Sequence, residues 1–120
     1  MRSYITAALG AAVLLTALTG DASAQSRDGA NRWVSINNVS GFRTVVTVHA
    51  VPSHLRAAGV MSRDLIPGVM IRPGQSYRLN FDDGHGTCYY DLRATSDRAG
   101  RDWVVRNFNV CARSNWNLGT

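Results

Sequence analysis

The sequence predicts an all-β domain, a small antiparallel β-sandwich or open barrel of about six to eight strands. Two observations lead to this fold class. Short segments rich in β-branched and aromatic residues alternate apolar and polar side chains, which is the pattern of half-buried strands. Glycine, proline and aspartate separate these segments at the spacing that turns have in small all-β domains. One departure from strand character is expected, a short helical turn around residues 54–58.

Turn residues set the boundaries of each predicted strand. The first two strands, WVSINNV and TVVTVHAV, flank a turn at residues 40–42, and the turn Pro73-Gly74 precedes a third, SYRLNF. The tail around Trp116 can pair as a further strand. The predicted strands are 33–39, 44–51, 76–81, 87–96 and 102–111.

The N-terminus has the pattern of a secretory signal peptide. Arg2 precedes an apolar run at residues 5–18, and the small residues 22–24 fit an A-x-A cleavage site. The apolar run is shorter than the ~20 residues that span a bilayer, so a retained anchor is the weaker alternative. We therefore expect a signal peptide at residues 1–24 and a single domain at 25–120. That domain should have no membrane span and a periplasmic or secreted location.

The chain is basic, and its charges are chemically uniform. It has 13 Lys+Arg and 8 Asp+Glu, a formal net charge of +5, and every cation is arginine and every anion aspartate. Such a balance either keeps a small exported protein in solution or favours acidic partners, among them envelope polysaccharide and anionic lipid. The arginines are spread along the chain without a compact basic run, so nucleic acid is not an expected partner.

The two cysteines, Cys88 and Cys111, are predicted to form one disulfide, as is usual in an exported chain. A domain this small has a modest core, and closing this loop stabilises it by ~3 kcal/mol in the chain-entropy model. The alternative is a pair of thiols that bind metal or form a redox centre. It is disfavoured because the spacing matches no C-x-x-C motif.

A tight turn at residues 83–86 would pair the strands on either side of it in a defined register. Leu79 would then lie opposite Tyr90 on an apolar face, because directly paired side chains share a face. On the other face Arg78 would lie opposite Asp91, and we predict a structural charge pair between them.

Direct pairing of Cys88 with Cys111 would centre the next hairpin at residues 97–100, where the letters DRAG already indicate a turn. Both hairpins then assign Cys88 to the same inner face. A strict register, however, turns two asparagines inward without partners, which is costly. Three explanations are open: a β-bulge between Arg106 and Val110, a diagonal bridge between the cysteines, or a sheet covered on both faces. We favour the bulge, which restores an apolar inner face.

The stretch DDGHG contains three candidates for metal binding. Asp82, Asp83 and His85 could together bind a divalent ion, but the stretch lacks the alternating ligands and the distal carboxylate of a calcium loop. Aspartate and glycine are also the residues that tight turns require. We therefore favour a turn, with the metal site as the alternative.

Sequence motifs of enzymes do not occur in the chain. It has no G-x-S-x-G, S-x-x-K or H-E-x-x-H pattern, and its cysteines are predicted to be oxidised. Nucleophilic catalysis needs a nucleophile, a base and an orienting group that converge. We therefore predict no catalytic residue and no cofactor.

The outward face of the last three long strands carries the candidate ligand site. In the registers above, Arg93 lies opposite Arg106, with Arg78 and Asp91 nearby. Like charges directly opposed are destabilising, so either Asp91 or a bound anion should neutralise them. Guanidinium groups suit phosphate and carboxylate, and we predict Arg78, Arg93 and Arg106 as candidate anion-binding residues.

The stretch from residue 64 to residue 111 resembles a family of small exported proteins from alphaproteobacteria. The matching motifs are D-L at 64–65, I-x-P-G at 71–74, C-x-Y-D-L-R at 88–93, an acidic-glycine turn at 97–100 and N-V-C at 109–111. The tryptophan-glycine often found before the D-L pair is replaced here by residues 61–63, MSR.

The resemblance implies an exported, β-sandwich-like domain. The family has no assigned activity, so the resemblance supplies no catalytic residues. It marks Tyr90, Asp91 and Arg93 as a shared structural or binding feature.

The leading functional hypothesis is a non-catalytic binding or interaction module of the bacterial envelope. Its partner would be an anionic envelope component or another envelope protein. One alternative is a small secreted metal-dependent enzyme or hydrolase that uses Asp82, Asp83 and His85. A second is a purely structural envelope protein without a ligand.

Overall fold

The computed structural model describes residues 26–98 and 101–119, which form six strands and one short 3₁₀ helix. The predicted signal peptide at 1–24 and the centre of the predicted DRAG turn, residues 99–100, lie outside the described residues. The elements are β1 (Trp33–Asn38), β2 (Val45–Pro52), the 3₁₀ helix (Ser53–Ala58), β3 (Ser76–Asn80), β4 (Tyr89–Ser96), β5 (Trp103–Asn109) and β6 (Asn115–Leu118).

The strands form two three-stranded sheets, in the orders β3-β1-β6 and β2-β4-β5. The pairs β1–β3, β2–β4 and β4–β5 are antiparallel, whereas β6 runs parallel to β1. The prediction of a small all-β fold with one disulfide is therefore confirmed. One sheet is mixed rather than purely antiparallel, because the C-terminal tail returns along the first strand. No described helix is long and apolar enough to cross a membrane.

The inner faces of the two sheets form one apolar core. Alternate residues of β1, Val34 and Ile36, are fully buried, and so are Leu92 and Ala94 of β4. This alternation follows from the strand geometry, in which successive side chains point to opposite faces. The tail predicted to pair through Trp116 does so as β6, and the Trp116 ring packs against a ring of β5 at a centroid distance of 6.4 Å.

The predicted pairing of β3 with β4 is wrong, because β3 pairs with β1 and lies in the other sheet. Leu79 and Tyr90 are both buried, as predicted, but they belong to different sheets of the same core. The turn chemistry explains the difference. The carboxylates of Asp82 and Asp83 accept hydrogen bonds from the backbone N–H groups two residues on, at 2.9 Å each. These local turns carry the chain from one sheet to the other instead of closing a hairpin.

The predicted bulge in β5 is confirmed. The β4–β5 register shifts so that two residues, Arg106 and Asn107, lie opposite Asp91. Asn107 has a φ of 55°, a left-handed conformation that asparagine tolerates better than most residues do. Before the bulge, Ala94 lies opposite Trp103, and both side chains contact the core.

The disulfide between Cys88 and Cys111 is confirmed, with a Cα–Cα distance of 5.3 Å. Beside it, the backbone N–H of Val110 donates to the Cys88 carbonyl at 2.8 Å. Because the bulge shifts the phase of β5, Phe108 and Val110 both point inward and are buried. The bulge therefore reconciles the pairing of the cysteines with an apolar inner face.

The outer edge of β2 is covered by the loop that contains the D-L pair. The N–H groups of Ser62 and Leu65 donate to the carbonyls of Ala50 and Val48, each at 2.8 Å. The Asp64 carboxylate accepts the Val48 N–H at 3.0 Å. An uncovered strand edge would present unpaired backbone groups to other chains, so this loop has a clear structural role.

Candidate functional site

A groove of about 380 Å³ lies on the outer face of the β2-β4-β5 sheet. It is bounded by the end of the 3₁₀ helix on one side and by β5 on the other. The groove brings together three arginines, two aspartates and several apolar side chains. These are Arg56, Arg93, Arg106, Asp91, Asp102, Val51, Val60, Met61 and Val104.

Asp91 connects the three elements around the groove. Its carboxylate accepts hydrogen bonds from Arg56 Nε at 2.6 Å and Nη2 at 3.0 Å, and from Ser53 Oγ at 2.8 Å. It also accepts the backbone N–H of Asn107 in the bulge at 3.1 Å. The hydrogen bonds from Arg56 lower the pKa of Asp91 although its burial acts in the opposite direction. Asp91 is therefore ionised at neutral pH and fastens the 3₁₀ helix to β4 and β5.

The predicted charge pair between Asp91 and Arg78 is wrong. Arg78 lies on β3 in the other sheet, where its guanidinium carbon is 4.6 Å from the centroid of the Trp33 ring. The prediction depended on a β3–β4 hairpin that does not form. The ion-pair partner of Asp91 is Arg56, which sequence reasoning missed because 35 residues separate the two and no local pattern links them.

Arg93 forms an ion pair with Asp102 at 2.5 Å. It lies opposite Val104 in the β4–β5 register, not opposite Arg106. The bulge is the physical reason, because one extra residue of β5 displaces Arg106 toward Asp91. The predicted direct opposition of two arginines is therefore absent from this pair of strands.

Of the three arginines in the groove, Arg106 is the one without an acidic partner among the described residues. Its side chain is exposed, and it makes no hydrogen bond or ion pair with any residue in the described ranges. Arg56 and Arg93 are matched by Asp91 and Asp102. Three arginines against two aspartates leave one net positive charge in the groove.

The groove also has apolar walls. Val60 follows the left-handed Gly59 that ends the 3₁₀ helix, and Val104 extends outward from β5. The two valines are 68% and 64% exposed, respectively. Exposed apolar side chains that share a concave surface with a free cation are a feature of ligand sites more than of inert surface.

Asp82, Asp83 and His85 do not converge on a common point. Asp82 instead accepts hydrogen bonds from Ser26, at 2.8 Å from its backbone N–H and 2.6 Å from its hydroxyl. Burial alone would raise the pKa of Asp82, but the hydrogen bonds from Ser26 and from the Gly84 N–H, together with the charge of Arg32, lower it. Within residues 26–98 and 101–119, no three side chains of His, Cys, Asp or Glu are grouped so that they could hold a metal ion.

Asp82 therefore holds the first described residue, Ser26, in place. Nearby, Arg32 is almost fully buried and donates to both carboxylate oxygens of Asp28, at 2.8 and 2.6 Å. It also donates to the Thr87 carbonyl at 2.7 Å. These contacts hold residues 26–32 against the connection between β3 and β4.

Of the three predicted anion-binding arginines, the structure brings Arg93 and Arg106 together and places Arg78 on the opposite face. Comparison with known proteins finds no family model, no curated protein and no solved structure that matches the chain.

Proposed function

We propose that this protein is a non-catalytic binding module exported to the bacterial envelope, and that its groove binds a small anion that carries an apolar group. The observation that supports this most directly is Arg106, a cation without a described partner at a groove with apolar walls. The predicted signal peptide and the disulfide support an exported, oxidising location.

The electrostatics of the groove favour an anion over a cation. Asp91 and Asp102 are occupied by Arg56 and Arg93, so a ligand meets the free donors of Arg106. A guanidinium presents planar paired donors that match a carboxylate or a phosphate. A volume of about 380 Å³ lies in the range of sites for small molecules.

The apolar walls narrow the ligand class further. A fully hydrated inorganic anion would leave Val60 and Val104 in water, whereas a ligand with an alkyl part would cover them. Covering apolar surface contributes about 25 cal/mol for each Å² removed from water. The ligand class supported best is therefore an alkyl phosphate, an alkyl carboxylate or the equivalent part of an anionic lipid.

The enzyme alternative has less support. Asp82 is occupied by Ser26, and the Asp83 carboxylate accepts the backbone N–H of His85, so these groups have structural partners. A purely structural role remains the outcome to be tested against binding.

The test uses the mature protein exported from the full chain, in its oxidised form. Thermal unfolding and calorimetric titration at low salt should be carried out with octyl phosphate, inorganic phosphate and octyl glucoside, and with vesicles of anionic phospholipid. A ligand that binds only the folded state raises the midpoint of unfolding. We expect the strongest effect from octyl phosphate, and a parallel effect of vesicles would identify a membrane source.

Arg106→Gln is the informative variant, and Arg78→Gln is the matched control on the opposite sheet. We expect Arg106→Gln to weaken octyl phosphate binding about 10-fold, because an arginine–anion hydrogen bond is charge-assisted. Arg78→Gln should leave binding unchanged. Equal effects of the two variants, or no response to any of the four probes, would refute the proposed site.

A further inference from the structure

The outer face of the β3-β1-β6 sheet has a different chemistry from the groove. We call it the amide face. It consists of the outward residues Trp33, Ser35, Asn37, Asn115 and Asn117 of β1 and β6, with alternate residues of β3 from Ser76 to Asn80. Arg78 is its one charged residue, and no carboxylate occurs at these eight positions.

The composition of this face conflicts with strand propensity. Four of its eight positions are asparagine, namely 37, 80, 115 and 117. Asparagine is depleted in strands, where β-branched and aromatic residues pack better on the pleated surface. Positions where the local preference contradicts the structure are expected to be functional sites, because something other than folding determines the residue. Asn80 has a structural role, since its Oδ1 accepts the backbone N–H of Asp82 at 3.0 Å. The other three asparagines indicate a role for the exposed amides.

Asn37 organises the face through contacts across all three strands. Its Oδ1 accepts hydrogen bonds from the hydroxyls of Ser35 and Ser76, at 2.8 and 2.7 Å. Its Nδ2 donates to the Oδ1 atoms of Asn115 and Asn117, at 3.1 and 2.8 Å. The two β6 amides are thereby held with their oxygens toward Asn37. The NH₂ group of Asn117 makes no hydrogen bond to a described residue, whereas that of Asn115 also donates to Ser114 Oγ at 3.3 Å. Side chains fixed in advance lose less entropy when a ligand binds.

Trp33 supplies an apolar surface at one end of the amide face. It is half-buried on β1, opposite Asn80, and the guanidinium of Arg78 lies over its ring, 4.6 Å from the centroid. An indole ring offers both an apolar face and an N–H donor, and is suited to a partner that is itself apolar on one side and polar on the other.

We propose that the amide face is a docking surface for an uncharged glycan chain. Sugar rings present hydroxyl groups that both donate and accept hydrogen bonds, which matches the amides and hydroxyls of this face. Arg78 is the one charged residue among these eight positions, so hydrogen bonds between neutral groups would dominate binding here.

The dimensions agree with a short stretch of such a chain. Three strands about 4.8 Å apart give a width of about 10 Å, and the five residues from Trp33 to Asn37 give a length of about 13 Å. The amide face extends over three neighbouring strands, so it offers contacts to the middle of a polymer as well as to its end. It is on the opposite side of the sandwich from the groove and does not depend on a ligand there.

The test is binding of uncharged oligosaccharides to the mature, oxidised protein. Oligomers of N-acetylglucosamine and of β-linked glucose should be titrated while the side-chain amide signals of asparagine are followed by NMR. We expect shifts in the NH₂ signals of Asn115 and Asn117 at millimolar sugar, and the same affinity in low and high salt. An affinity that falls steeply with salt, or no shift with either oligomer series, would overturn the proposal.

Two variants make the test specific. The double variant Asn115→Ala with Asn117→Ala should weaken binding about 5- to 150-fold, since each lost neutral hydrogen bond lowers affinity about 2- to 12-fold. Arg106→Gln, in the opposite sheet, should bind the glycan as the wild type does. Asn117→Ser alone serves if the double variant does not fold, with about half the free-energy loss expected. Wild-type affinity in a folded amide-face variant would disprove the assignment.

Discussion

Replacing Asp91 with asparagine removes the charge that holds the 3₁₀ helix against β4 and the bulge of β5. Asp91 is 7% exposed and accepts four hydrogen bonds, two of them from Arg56. Asparagine keeps one oxygen, which can still accept from Ser53 and from the N–H of Asn107. Its NH₂ group, however, takes the place of the oxygen that faces Arg56 Nε, so that a donor meets a donor.

The expected cost of Asp91→Asn is about 2 kcal/mol. Loss of a hydrogen bond to a charged group costs about 1.5–3 kcal/mol. The lower half of that range applies because the Arg56 side chain is 39% exposed and water can replace part of the interaction. For a domain of this size, the same loss lowers the midpoint of thermal unfolding by on the order of 10 °C. Urea unfolding of the oxidised protein at neutral pH measures the free energy directly.

The effect should also depend on pH in a defined direction. The pKa of Asp91 is lowered below its ordinary value of 3.8 in the folded protein, chiefly by hydrogen bonds from Arg56. Because the pKa is lower in the folded protein, ionised Asp91 stabilises the fold fully when the pH is above its pKa in the unfolded chain. This stabilisation is lost as the pH falls from the unfolded-state pKa through the folded-state pKa. The stability difference between wild type and Asp91→Asn should therefore be constant at pH 5–7 and shrink below about pH 4.

Asp102→Asn is the matched control. Asp102 also pairs with an arginine, but both partners are substantially exposed, and exposed ion pairs contribute about 0–1 kcal/mol. We expect a loss below about 0.5 kcal/mol for this variant. Two results would contradict this role of Asp91. One is an equal loss of unfolding free energy in Asp91→Asn and Asp102→Asn. The other is a stability difference between wild type and Asp91→Asn that stays the same from pH 5 to pH 3.

Two further predictions concern the fold. Replacing both Cys88 and Cys111 with serine should lower the free energy of unfolding by ~3 kcal/mol, from the entropy of the closed loop; an unchanged urea midpoint after reduction of the wild type would contradict this. Asn38→Ala should lower the free energy of unfolding by about 2–3 kcal/mol. The buried Asn38 Nδ2 donates to the carbonyls of Arg43 and Ile71 at 2.6 and 2.8 Å, and both carbonyls would lose that donor. Asn117→Ala, on the exposed amide face, should cost clearly less in the same measurement, and equal losses would show that burial of the amide does not matter.

The inward-facing residues could be predicted from the sequence because the strand period is a local property. The alternation predicts that Leu79 and Tyr90 face the core, and each is buried. The bulge in β5 was also predictable, since a strict register would have buried asparagines and exposed Phe108. In both cases the cost of burying a polar side chain decides the outcome, and that cost can be read from a few neighbouring residues.

The strand pairing could not be predicted in the same way. The turn after β3 has the composition of a tight hairpin, yet Asp82 is held by Ser26, which lies 56 residues earlier in the chain. The parallel pairing of β6 with β1 likewise joins the two ends of the described chain. Arg56 was missed for the same reason, because its contact with Asp91 arises only when β2 and β4 pair. Long-range contacts therefore decided which charges meet, and with them the site.

The separation of the two sheets has a consequence for function. Each outward face is built from residues that take no part in the core, so its chemistry can vary without changing the inner packing. One face carries paired charges and a free Arg106 between apolar walls, and the other carries amides fixed by Asn37. A module with both faces could bridge a hydroxyl-rich polymer and an anionic amphiphile, two materials that meet in a cell envelope. The reciprocal controls test this independence, because Arg106→Gln should spare glycan binding while the Asn115 and Asn117 substitutions spare anion binding. If either variant lost both binding activities, the two faces would not be independent, and a change on one face would reach the other through the packing of the core.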